Sequence, residues 1–122
     1  MTNDDASWWV VCLCAGWCGV CRDWQPAFER EAGAHPGVRF AWVDVEDEAH
    51  AMGEIDIETF PTLLVAHGPR VLFMGPVAPA APQLARLLAS LQDEGVPHAA
   101  VGNAEQALFA RLLASVLPRD QT

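Results

Sequence analysis

The stretch Ser7-Trp8-Trp9-Val10-Val11-Cys12-Leu13-Cys14-Ala15-Gly16-Trp17-Cys18-Gly19-Val20-Cys21 decides how this chain is read. Its first half, through Cys14, is short, apolar and rich in β-formers, which predicts a strand buried on both faces. Ala15-Gly16 ends that strand. From Cys18 to about Ala34 the pattern turns helical, with Trp24, Phe28 and Ala32 four apart; Pro26 should kink the helix and His35-Pro36-Gly37 should stop it. Four cysteines, at 12, 14, 18 and 21, thus crowd into ten positions around one strand-to-helix junction. A disulfide scaffold spreads its cysteines to tie distant segments, so this cluster points instead to redox catalysis or metal binding.

Working outward, Val38 to Val45 reads as a second strand, followed by a short helix near Glu48 to Glu54. Thr62 to Ala66 and Val71 to Met74 read as two more strands, joined by His67-Gly68-Pro69-Arg70 into an antiparallel hairpin. Pro79 and Pro82 introduce a helix with Leu84, Leu87, Leu88 and Leu91 on one face, and Gly95 falls at its C-cap position. A last helix is expected over about 103–117, capped by Asn103 with Gln106, presenting Phe109, Leu112, Leu113, Val116 and Leu117 before Pro118 ends it. The expectation is a single domain over residues 1–122, with a core of about 7–95 and the additional helix after it.

Composition narrows the chemistry. Of 122 residues, 52% are hydrophobic, enough for one packed core without metal or disulfide staples. The net charge of −9 argues against nucleic acid as a partner. All seven basic residues are Arg, which excludes lysine Schiff-base chemistry and a phosphate-loop lysine. No apolar run reaches the roughly 20 residues that span a bilayer, and the opening Met1-Thr2-Asn3-Asp4-Asp5 lacks the positive charge of a secretory signal, so a cytoplasmic protein without membrane contact is expected. His35, His50, His67 and His98 are scattered and suggest no shared metal; the acidic positions Asp44, Glu46, Asp47, Glu48, Glu54, Asp56 and Glu58 read as a solvated surface.

At the junction, Cys18 should sit at the helix N-terminus, where unpaired backbone N–H groups stabilise a sulfur anion. Such a thiolate attacks a substrate disulfide, and Cys21, one helical turn on, attacks the resulting mixed disulfide to release product. A zinc or iron–sulfur site on Cys12, Cys14, Cys18 and Cys21 is the alternative; it requires a regular strand and helix to distort until four sulfurs meet.

The chain here resembles the thioredoxin family, on four features beyond the spacing alone. Trp17-Cys18-Gly19-Val20-Cys21 follows an apolar strand, Pro26 falls five residues after the second cysteine, Phe60-Pro61-Thr62 looks like the family's cis-proline loop, and Gly75 follows the hairpin. The resemblance covers about Trp8 to Leu91. It implies an α/β, thioredoxin-like fold: a central mixed four-stranded sheet flanked by helices, without the usual N-terminal strand and helix and with an extra C-terminal helix. It also implies a thiol–disulfide oxidoreductase whose catalytic residues are Cys18 and Cys21. Its only redox group would be the Cys18–Cys21 disulfide, with no bound cofactor or metal. Trp17, Gly19, Val20, Phe60, Pro61 and Gly75 would form the substrate-binding rim. Its partners would be protein disulfides, bound largely through main chain and apolar contacts, and a redox partner that the sequence does not identify.

Three departures qualify the resemblance. Gly19-Val20 stands where Gly-Pro is commoner between the cysteines. Cys12 occupies the place of a buried aspartate that handles the proton of the second cysteine, and Trp42 that of a lysine near it. Deprotonation of Cys21 then falls to water or Asp44, and resolution should be slow. Cys14 replaces a tryptophan; since residues two apart on a strand share a face, Cys12 and Cys14 read first as small apolar fillers, with a third redox thiol or regulatory disulfide as the sharper reading for Cys14. The C-terminal helix is expected to lie over the bare side of the sheet, the other use of its stripe being a homodimer. A thioredoxin-shaped binding or scaffold module with little turnover is the second functional class.

Overall fold

A computed structural model describes residues 7–53, 55, 57, 59–94 and 101–117. In chain order the elements are β1 (Trp8–Cys14), α1 (Gly19–Ala34), β2 (Val38–Asp44), α2 (Ala49–Met52), β3 (Thr62–His67), β4 (Arg70–Pro76), α3 (Ala81–Glu94) and α4 (Asn103–Ser115). The sheet order is β2-β1-β3-β4. β1 and β2 run parallel, which obliges α1 to cross between them, whereas β1–β3 and β3–β4 are antiparallel. This is the mixed four-stranded sheet that the sequence predicts.

β1 is central and buried on both faces, so its alternation feeds two cores. Val10, Cys12 and Cys14 pack with Cys21, Trp24 and Phe28 of α1 and Leu84, Leu88 and Leu91 of α3. Trp9, Val11 and Leu13 face the other way, toward Leu108, Phe109 and Leu112 of α4. α1 runs continuously through Pro26, whose missing N–H costs one hydrogen bond on an exposed turn. The β3–β4 connection reverses at Gly68, whose φ of 62° is a left-handed conformation natural to glycine.

α4 lies over the sheet face opposite α1 and α3. Phe109 meets Trp9 edge to face at 6.4 Å between ring centroids, and Leu108, Phe109, Leu112, Val116 and Leu117 are all buried. At roughly 1.5–3 kcal/mol per buried large apolar side chain, this helix is a principal part of the core. The stripe is set slightly differently from the expected one: Leu108 is fully buried while Leu113 is only partly so. The stripe is thus packed on the chain's own sheet, the use expected for it ahead of a homodimer.

The expected cap of α4 is corrected. Gly102 is the N-cap, and its backbone N–H donates to Glu105 Oε1 at 2.8 Å. Gln106 instead reaches the sheet: its Nε2 donates to the Val71 carbonyl at 3.0 Å, and its Oε1 accepts from the Val71 N–H at 2.9 Å. The side-chain amide thus completes the unpaired outer edge of β4 as another strand would, a stronger use than capping because both groups of a buried residue are satisfied. α2 is also shorter than expected, four residues, and Arg111 of α4 holds its end by donating to the carbonyls of Ala51 (2.7 Å) and Met52 (3.1 Å). Gly53 must stay small there: its φ is 62°, and a Cβ would stand 2.6 Å from Arg111 Nη2. The cap at Gly95, the stop at Pro118, His98, Glu54, Asp56, Glu58 and the opening residues 1–6 lie outside the described residues.

Candidate active site

β1 ends at Cys14, Ala15-Gly16-Trp17 turns the chain outward, and Cys18 is the N-cap of α1. Two bonds hold this turn: the Cys18 N–H donates to the Ala15 carbonyl at 3.0 Å, and Arg22 Nη1 donates to the Gly16 carbonyl at 2.8 Å. Extended backbone at Cys18 (φ −85°, ψ 113°) and helix from Gly19 onward leave its thiol at the head of the helix, half-buried and free. Trp17, 63% exposed, and Val20, 49% exposed, are the exposed large apolar side chains among the described residues, and they flank Cys18 in sequence. Gly19 is exposed beside them.

Cys21 lies behind, in the first turn of α1, buried to 1% exposure. Its partner in the structure is Cys14, across the strand–helix interface: the two form a disulfide with Cα atoms 6.0 Å apart, an ordinary span for the bond. The disulfide present is therefore Cys14–Cys21, in place of the expected Cys18–Cys21. The reason is packing: β1 directs Cys14 to the face on which the first turn of α1 rests, and that brings Cys21 against it. The apolar-filler reading fits Cys12 but not Cys14. Spacing along the helix made Cys18 the obvious partner; the same-face rule for Cys12 and Cys14 was the signal for the other.

Cys12 Sγ lies 3.6 Å from Cys14 Sγ, so a third sulfur borders the disulfide. Burial pushes the Cys12 thiol up from 9.0 to about 12; the indole N–H of Trp24, which has no other partner, offsets this only in part. Cys12 is hence a neutral thiol and cannot replace a carboxylate as base. Trp42, its neighbour across the parallel pair, packs on Phe28 at 5.5 Å, so two positions linked to a buried charged pair in the resemblance are occupied by an apolar contact surface. Asp44 pairs in register with Cys14 and accepts from the N–H groups of Glu46 and Asp47 through Oδ1, at 2.9 and 3.2 Å. Among the described residues no group of three Cys, His, Asp or Glu side chains is placed to hold a metal ion.

The remaining rim residues gather unevenly. Trp17 and Phe60 meet edge to face at 5.5 Å, and the Trp17 indole donates to Glu46 Oε2 at 2.8 Å. Both rings line an open groove of about 330 Å³ that continues past Val45, Met52 and Ile57. The Phe60–Pro61 peptide bond is cis, and Pro61 is buried. Gly75 pairs with Leu63, two residues beyond Pro61, and faces a second groove of about 350 Å³ with Thr59, Thr62 and Ile57. Glu46, which fixes the Trp17 ring, was read only as solvated surface; no periodicity singles out a carboxylate that meets an indole 29 positions away.

A cysteine at a helix head, a second sulfur in the helix's first turn and a mixed sheet with a cis-proline loop beside them define a thioredoxin-fold dithiol protein. The thioredoxin family profile matches residues 2–89, and the chain belongs to that family. It is 30% identical over 77 residues to putative thioredoxin 2 of Streptomyces coelicolor, covering 63% of this chain and 58% of that protein. To the mitochondrial thioredoxin-3 of Saccharomyces cerevisiae it is 32% identical over 56 residues, 46% of this chain and 44% of that one. The match thus spans about half the length of these relatives. Among solved structures, Fasciola hepatica thioredoxin superposes with a TM-score of 0.64 at 25% identity, over 72% of this chain and 84% of that one.

Proposed function

We propose that this protein is a thiol–disulfide oxidoreductase acting on protein disulfides, with Cys18 as nucleophile and Cys21 as resolving thiol. The observation that carries the reading is the placement of Cys18: a free, half-buried thiol at the head of α1, beside exposed Trp17 and Val20, with Cys21 one turn behind. Cys18, as thiolate, attacks one sulfur of the substrate disulfide; that S–S bond breaks, a mixed disulfide forms, and the displaced substrate sulfur takes up a proton. Cys21 loses its proton to water or Asp44 and attacks Cys18, releasing the second substrate thiol. The substrate gains two electrons and the dithiol becomes a disulfide.

Trp17, Gly19, Val20, Phe60, Pro61 and Gly75 form the substrate rim in this reading. The Trp17–Phe60 pair offers an apolar wall, and the backbone at Phe60 can pair with an extended segment. A redox partner, not identified by the sequence or the fold, would restore the dithiol. No helix among the described residues is long and apolar enough to cross a membrane. The crowding of four cysteines within ten positions, unlike the spread of a disulfide scaffold, favours the cytoplasm and a part in its redox balance.

Reduction of insulin by dithiothreitol, with wild type and Cys18→Ser compared, tests the reading. Wild type should accelerate precipitation of the insulin B chain and Cys18→Ser should fall to the uncatalysed rate; equal rates reject it. The competing scaffold reading draws on one observation, that Cys21 is bonded to Cys14 and so withheld from Cys18, and it predicts those equal rates.

A further inference from the structure

Cys21 lies in the first turn of the helix that Cys18 caps and is bonded across the strand–helix interface to Cys14. We propose that Cys14 is a third redox thiol, which takes Cys21 from Cys18 after turnover and stores the disulfide in the core as Cys14–Cys21, returning Cys18 as a free thiol. This rests on the oxidoreductase reading above.

Two observations carry it. Cys14 and Cys21 are already joined, while Cys18 is free. Both joined residues are 1% exposed, so a protein disulfide cannot touch their sulfurs, whereas Cys18, the half-buried N-cap of the helix whose first turn carries Cys21, is within a protein substrate's reach. In the proposed cycle the disulfide in the core is the product of internal exchange. Cys14 Sγ attacks Cys21 Sγ, the Cys18–Cys21 bond breaks, the Cys14–Cys21 bond forms, and the proton lost by Cys14 passes to the departing Cys18 sulfur. One disulfide is exchanged for another and no further oxidant is consumed. The two electrons left earlier, with the substrate disulfide. Reduction runs back the same way: Cys18 attacks Cys21, Cys14 is freed, and an external dithiol reduces Cys18–Cys21.

The consequence is a stored state with altered reactivity. With Cys21 held by Cys14, Cys18 can still open a substrate disulfide but has no resolving thiol, so the protein stops as a mixed disulfide until an external thiol releases Cys18. Cys12, buried against Cys14, stays a thiol throughout.

The test is a linkage map of wild-type protein oxidised by one equivalent of hydroxyethyl disulfide, acid-quenched, alkylated under denaturing conditions and cut with chymotrypsin. Cleavage after Leu13 and Trp17 separates Cys12, Cys14 and the Cys18–Cys21 segment, and fragmentation tells which of the last pair is alkylated. The expected product is Cys14 linked to Cys21 with Cys18 alkylated. In the native oxidised protein one thiol should label with maleimide; in Cys14→Ala, oxidised alike, labelling should be lost because Cys18 then stays bonded to Cys21. A wild-type map showing Cys18–Cys21 with Cys14 alkylated overturns the proposal whatever the variant does. Insulin reduction separates the two claims: Cys14→Ala should remain active, and if wild type and variant are both inactive the oxidoreductase reading falls, whereas activity with a Cys18–Cys21 map removes only the third thiol.

Discussion

On one side of the sheet β1 presents Val10, Cys12 and Cys14 to α1 and α3; on the other it presents Trp9, Val11 and Leu13 to α4. The first face holds three sulfurs within its core and opens at one end onto Cys18, Trp17 and the groove by Phe60. The second holds aliphatic and aromatic side chains, fastened at its margins by Gln106 on Val71 and Arg111 on α2. A single strand of period two thus serves chemistry with one set of residues and stability with the other. Changes on the α4 face should therefore move stability and leave thiol chemistry in the folded molecule intact, and changes on the α1 face should do more.

The largest effect is expected from Phe109→Ala, which empties the centre of the α4 face. Truncating a fully buried Phe costs about 3–5 kcal/mol, read as a lower urea midpoint, while Cys18 labelling of the folded fraction stays at the wild-type rate. A change in that rate would break the division between faces.

Next comes Cys12 on the opposite face. Its thiol is raised from 9.0 to about 12, so between those pH values the unfolded chain gives up a proton that the folded chain keeps. Stability from this source is whole below pH 9 and declines as pH rises through the window, by about 2 kcal/mol near pH 10.5. Cys12→Ala should flatten that decline relative to wild type in urea titrations run from pH 8 to 10.5; parallel curves would show that burial at Cys12 is not what the pH senses.

Gln106→Ala should cost roughly 1–2 kcal/mol by leaving both polar groups of Val71 without their side-chain partner, with faster amide exchange at Val71 as the local signature. Unchanged exchange there would remove the edge-strand role. Smallest is Trp17→Ala. Its ring is largely exposed, so stability should shift by no more than about 0.5 kcal/mol, while kcat/KM for insulin falls about five-fold through loss of the apolar wall it forms with Phe60. A stability loss without a kinetic one would assign Trp17 to packing.

Much of this was legible in advance where the signal is local. The unbroken apolar run from Trp8 to Cys14 marked a doubly buried strand, Leu84, Leu87, Leu88 and Leu91 marked one face of α3, and the Trp17–Cys21 motif with Phe60-Pro61 and Gly75 marked the family. What the sequence did not announce has one cause. Gln106 at three positions past Asn103 satisfied a capping pattern, yet an edge strand 35 residues away offered it two backbone groups. Spacing relates Cys21 to Cys18 and gave no notice that packing also brings Cys14 against Cys21. Local spacing states what can meet within one element and is silent on what another element brings.

By itself, then, the order of residues determined which segments are helix or strand, that Cys12 and Cys14 share a face, and that a thiol belongs at the head of α1, because period and chain direction settle these without a partner. Only the tertiary structure decided that Cys21 bonds to Cys14, that α4 closes the second face and that Glu46 fixes Trp17. Those outcomes depend on distances between elements far apart in the chain, and such distances exist only once the sheet and its covering helices have packed.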